Sequence, residues 1–159
     1  MLHLIPAPLH RALYRVANRA RRIWWRVRKP QRASVQVVAF DERGRVLLVR
    51  HSYGAPVWAL PGGGMGLNED PLHAAGREIA EEVGCTLAET VLVGAREVED
   101  SGSRDLRHLV AARLVGVPAP DMRELVAVGL FAPAELPSPL DRRVRLAIAE
   151  AEARRSKQR

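Results

Sequence analysis

Apolar and polar positions change their period several times along the 159 residues, and each change marks an element. Over residues 9–28 the apolar residues Leu9, Leu13, Val16, Ala20, Ile23 and Val27 recur at steps of three and four, with arginines filling much of the rest. That pattern predicts an amphipathic helix, with Pro6 and Pro8 before it and Pro30 after it as its limits. From Ser34 the character changes. Residues 34–40 are β-branched and apolar, 41–44 read as a turn, and 45–51 as a second strand. A loop over 52–56 and a short strand over 57–60 lead into a glycine-rich loop. The next helix is predicted over 71–83: Asp70 is a good N-cap, Pro71 fits the first helical position, and Gly84 terminates. Leu72, Ile79 and Val83 form its core stripe, and Glu78, Glu81 and Glu82 fall together on the other side. Strands follow near 90–97 and 106–115, joined by the polar stretch 99–105, with a loop at 118–121 and a strand at 125–131. Ser138 is placed to cap a last helix from Pro139, with Leu140, Val144, Ile148 and Ala151 as its apolar stripe. Strands that surround one helix and end in another predict an α/β fold with a mixed sheet between helices.

Length suits one domain with a respectable core. Charge then divides the chain. Of its 25 basic residues, nine lie in residues 1–32 with no acid among them, leaving 16 against 18 acidic residues beyond. The net charge of +7 thus belongs to a basic arm, 1–32, and the domain at 33–159 is nearly neutral. The arginine density of the arm argues against a membrane span, and the order of a secretory signal is absent. Residues 9–28, with Trp24 and Trp25, suit packing on the domain or on a second copy as a homodimer, or lying on an anionic membrane surface. A transit segment is a further reading, and nucleic acid is not the expected partner. Cys85 is the single cysteine, so no internal disulfide can form and a reducing, cytoplasmic setting is expected, peripheral at the membrane if the arm lies on it.

Three glutamates on one helix face repel one another, and a bound divalent cation would turn that cost into affinity. Their setting is specific. Gly63, five residues, Glu69, seven residues, then Arg77-Glu78-Ile79-Ala80-Glu81-Glu82-Val83-Gly84 resembles the box of the Nudix hydrolase family, preceded by Trp58-Ala59-Leu60-Pro61-Gly62-Gly63-Gly64. Cys85 is the one departure, where the family usually carries a larger aliphatic residue. The resemblance covers about 34–153 and implies the α/β/α sandwich of that family. It also implies Mg2+ (with Mn2+ as an alternative) held by Glu78, Glu81 and Glu82, and hydrolysis of a phosphoanhydride in a nucleoside diphosphate-linked compound or nucleoside triphosphate.

Residue chemistry fits that expectation. Cleaving a diphosphate bridge requires charge neutralisation, an activated water and in-line placement. Glu78 is taken as the general base, with Glu81 beside it, and Arg77 is expected to orient the carboxylates through bidentate hydrogen bonds that include Glu69. Gly62, Gly63 and Gly64 would let backbone approach the phosphates. Glu97, Glu99 and Asp100 are candidate acids outside the box, and Arg50, His51, Trp58, Arg104, Arg107 and His108 are candidate contacts to base or phosphate. The additional signatures of the ADP-ribose, dinucleoside polyphosphate, NADH and coenzyme A branches are missing. The other functional class to weigh is a non-catalytic nucleotide-sensing module with the arm as its docking element, which intact Glu78, Glu81 and Glu82 disfavour.

Overall fold

A computed structural model describes Ala17 and residues 32–157, apart from Leu67, Ser101, Gly102, Arg123 and the side chain of Asp100. The predicted helix over 9–28 therefore lies, Ala17 aside, outside the described residues.

Six strands and two helices follow in the order β1 (Arg32–Phe40), β2 (Val46–His51), β3 (Gly62–Gly64), α1 (Pro71–Val83), β4 (Thr86–Asp100), β5 (Ser103–Val115), β6 (Leu125–Phe131) and α2 (Val144–Ser156). The sheet runs β4-β5-β1-β2-β6, and β3 pairs with β1. β1 lies parallel to β5 and every other pairing is antiparallel, so the sheet is mixed.

Alternation along β1 builds both halves of the core. Val35, Val37 and Ala39 point to one face, where they meet Ile79 and Val83 of α1. Val38 and Phe40 point to the other, against Val144, Ile148 and Ala151 of α2. A strand buried on both faces reads as a continuous apolar run, which is how 37–40 reads. The result is a helix on each face of one sheet, as expected. Among the described residues no helix is long and apolar enough to cross a membrane.

α1 keeps its predicted limits. Asp70 Oδ1 accepts from the N–H groups of Leu72 at 2.8 Å and His73 at 3.1 Å, and Gly84 closes the helix at φ 68°. Four expectations about the elements are corrected. The polar stretch at 99–105 is mostly strand: β4 and β5 form a hairpin in which Glu99 stands opposite Arg104, an opposite-charge pair that suits a ladder. β4 also begins earlier, at Thr86, past an irregularity where Glu89 takes φ 52° and accepts from Arg113 Nε at 2.8 Å. The last helix starts at Val144, not Pro139, because the backbone before it is engaged elsewhere. Trp58 N–H donates to Pro139 O at 2.9 Å and Asp141 N–H to Trp58 O at 2.8 Å, while Asp141 Oδ1 accepts from Arg143 N–H. Likewise 57–60 forms only single bridges, Val49 to Ala59 and Trp58 to Leu140, and the ladder resumes in the glycines.

Candidate active site

β3 is the wall on which the site is built. It pairs Gly64 with Ser34, Gly63 with Val35 and Gly62 with Gln36. Any side chain at two of these positions would collide. A Cβ on Gly62 would lie 2.1 Å from Val35 O, and that residue sits at φ 141°. A Cβ on Gly63 would lie 2.6 Å from the Glu78 carboxylate, so Glu78 is pressed directly against bare backbone. Gly64 has open space instead.

α1 delivers its acids to that wall at different depths. Glu82 is 7% exposed, on the buried side of the helix, where Gly62 N–H donates to its Oε2 at 3.1 Å. Burial, together with the charges of Glu78, Glu124 and Asp121, pushes its carboxyl up to about 8. Glu78 is less enclosed. Burial raises its pKa, and the Arg77 guanidinium works against that rise. Glu81 is mostly exposed, with Arg77 Nη1 at 3.5 Å. The one-faced trio expected from sequence is thus graded from core to solvent.

Arg77 ties the site together. Its Nε and Nη2 donate to the two oxygens of Glu69 at 2.9 and 3.2 Å, its Nη1 to Glu78 Oε1 at 2.8 Å, and Nη2 also to Gly64 O at 3.0 Å. This is the bidentate fork that guanidinium geometry favours. Glu69 in turn accepts from Gly66 N–H at 2.8 Å, and the Arg77 contact first of all holds its carboxyl down to about 2. Arg77 itself is driven above its usual range by the same hydrogen bond.

One acid of the site was missed in the sequence. Glu124, just before β6, acts through its charge on Glu78, Glu82 and His51 alike. Its segment is fixed by Asp121, whose carboxylate accepts from the N–H groups of Glu124 and Leu125, and by Ser52 N–H, which donates to Glu124 O at 2.7 Å. The signal in sequence was an acid at the mouth of a strand, which spacing alone does not tie to α1. Of the acids named instead, Glu97 borders the cleft described next and Glu99 is exposed.

A cleft of about 930 Å³ is bordered by Gly62, Gly63 and Gly64, while Glu78, Glu81 and Glu82 are not among the residues that line it. His51, Arg104 and Arg107 line it. Among the described residues the buried Nδ1 of His51 has no hydrogen-bond partner, and burial lowers the pKa of the ring. Arg50 lies 5.8 Å from the Trp58 ring, and Trp58 packs edge-on to Phe131 at 5.0 Å, so these two serve packing more than the cleft. His108 Nδ1 lies 3.3 Å from Ser34 O.

The NUDIX domain family model matches residues 30–151. The chain belongs to the NUDIX family. Its curated relatives include an RNA pyrophosphohydrolase of Halorhodospira halophila, 36% identical over 84 residues (53% of this chain and 42% of that protein). An ADP-ribose pyrophosphatase of Mycobacterium tuberculosis is 42% identical over 55 residues, 32% of this chain and 27% of its own. The chain thus spans less than half the length of either protein. Among solved structures, a MutT NUDIX hydrolase from Burkholderia pseudomallei superposes with a TM-score of 0.68 at 28% identity, covering 76% of this chain and 98% of that one.

This NUDIX site suits a hard divalent cation. Its donors are carboxylate oxygens, and among the described residues the buried Glu82 carboxyl has a single hydrogen-bond donor, Gly62 N–H; ionising it there is costly, a cost that a cation would offset. Among the described residues no three acidic, histidine or cysteine side chains form a complete ligand set by themselves. Backbone oxygens, water and substrate phosphate would have to complete the shell, which is how Mg2+ is usually held.

Proposed function

We propose that this chain is a Mg2+-dependent hydrolase that cleaves a phosphoanhydride bond in a nucleoside diphosphate-linked compound or nucleoside triphosphate, with 33–159 as the catalytic domain and 1–32 as a separate arm. The observation that carries this reading is the Glu78 carboxylate lying against the bare backbone of Gly63, with Glu82 buried beside it on Gly62. The names of the relatives, an RNA pyrophosphohydrolase and an ADP-ribose pyrophosphatase, support the bond class.

Glu78 and Glu82 would hold the cation, with Glu81 on the solvent side and Glu124 facing them. The cation would supply charge neutralisation on the phosphates and a more acidic attacking water. Gly62, Gly63 and Gly64 admit the diphosphate to within reach of the carboxylates, since no side chain stands between. Arg77 fixes the Glu78 carboxylate in orientation and is itself braced by Glu69, so the acceptor is set before substrate arrives. Glu78 takes the proton of the attacking water, which the charge of the cation would make easier to lose.

Incubation with a panel of nucleoside triphosphates, dinucleotides and sugar-linked nucleoside diphosphates plus Mg2+ should release phosphate, pyrophosphate or a nucleoside monophosphate. The double variant Glu78→Gln, Glu82→Gln should lower kcat by about 10²–10⁴ and abolish Mg2+ uptake in titration calorimetry. Undiminished turnover in the folded double variant would sink the assignment. Nucleotide affinity without turnover in the parent chain would favour a sensing module.

A further inference from the structure

A second polar unit lies on the sheet, away from the carboxylates. Asp105 and Arg107 stand two apart on β5 and so share a face, and Ser34 of β1 joins them. Ser34 Oγ donates to Asp105 Oδ2 at 2.7 Å, and Arg107 Nη2 donates to the same oxygen at 3.0 Å. Asp105 is 2% exposed, yet among the described residues its Oδ1 has no hydrogen-bond partner. Buried carboxylate oxygens are rarely left so, because the cost of desolvation is then uncompensated. All three residues border the cleft.

Register gives the distance to the phosphate end. Ser34 lies opposite Gly64 on one side and Arg107 on the other. Two strand spacings put β5 about 10 Å from the glycine strand. That matches the span of a nucleotide from its reacting phosphates to the edge of its base. Tyr53 adds an aromatic ring to the lining of the cleft, the other requirement of a base site.

We propose that Asp105 is a specificity-determining residue that accepts N–H donors from the edge of a guanine base, while Arg107, held by the other carboxylate oxygen, donates to the neighbouring carbonyl. Guanine presents N1–H and N2–H2 beside O6, the complement of an acceptor beside a donor. Adenine and cytosine put a ring-nitrogen acceptor where the carboxylate needs a donor. The assignment takes only the position of the phosphates from the hydrolase reading; the base contacts stand apart from it.

The variant Asp105→Asn makes a sharp test. Ser34 and Arg107 both donate, so the amide must turn its carbonyl to them and place NH2 where Oδ1 stood. An acceptor becomes a donor, and preference should move from guanine toward xanthine, whose C2 carries an oxygen. Equilibrium binding of nucleoside 5′-monophosphates by calorimetry reads this without any turnover. In the parent chain GMP should bind on the order of tenfold tighter than AMP or N1-methyl-GMP, with dGMP equal to GMP. Asp105→Asn should erase the preference for GMP over XMP or reverse it. GMP and AMP bound alike, GMP not bound at all, a preference that survives in folded Asp105→Asn, or a loss on removing the 2′-hydroxyl in place of the base N–H would each overturn the assignment. If Asp105→Asn does not fold, the analogue series on the parent chain decides alone. A chain that binds GMP in this way yet hydrolyses nothing in the panel refutes the hydrolase and not the base site.

Discussion

Glu82 carries a cost that depends on pH. Its carboxyl titrates near 8 in the folded chain and near the ordinary glutamate value of about 4.5 once unfolded. Between those values the folded state binds more protons than the unfolded one, so stability falls as pH rises through the window and levels off above it. The contribution amounts to roughly 3–5 kcal/mol at most. With chelator present, the parent chain should therefore melt lower at pH 8.5 than at pH 6. Glu82→Gln should flatten that dependence, and Mg2+ should restore the parent most at the alkaline end. A thermal melt series across pH, with and without Mg2+, checks all three. An identical pH dependence in Glu82→Gln would place the cost elsewhere. Glu69 works in the opposite direction: held near 2 by Arg77, it favours the fold above the ordinary glutamate range and loses that as pH falls.

Elements set where those side chains stand, and β3 does so by having none. Gly63→Ala should displace the Glu78 carboxylate, because the new Cβ would lie 2.6 Å from it. The backbone there is ordinary for an L residue, so the melting temperature should change little while kcat drops about 10²-fold, the usual result of moving a reacting group by an ångström. Parallel melting and kinetic measurements separate the two; unchanged kcat would mean that Glu78 need not lie on that wall. This close approach was only half legible in sequence. The glycine run announced backbone exposure, and the caps of α1 were readable because Asp70, Pro71 and Gly84 act locally. Strand pairing was not. That 62–64 is a strand follows from where β1 lies, and the depth of Glu82 follows from β3 standing over it, so a helical wheel places it with Glu78 and Glu81. Glu124 and the Asp105–Ser34 contact, 71 residues apart, depend on sheet order in the same way.

At the scale of the whole molecule, both core clusters found among the described residues are assembled from residues 35–151, and β1, where the sheet starts, begins at Arg32. If the arm lies on an anionic membrane surface, removing residues 1–32 should abolish sedimentation with anionic vesicles in low salt while sparing turnover and leaving the melting temperature within a few degrees. Unfolding, or a dimer becoming monomeric in light scattering, would instead assign the arm to packing.

β1 lies between the strand that faces the carboxylates and the strand that carries Asp105, joined to both through Ser34. It acts as a ruler. With the base gripped at one edge and water delivered at the other, the cut would fall a fixed length from the nucleoside, whatever trails beyond the second phosphate. Substrates differing only in that tail would then all leave the same nucleotide behind.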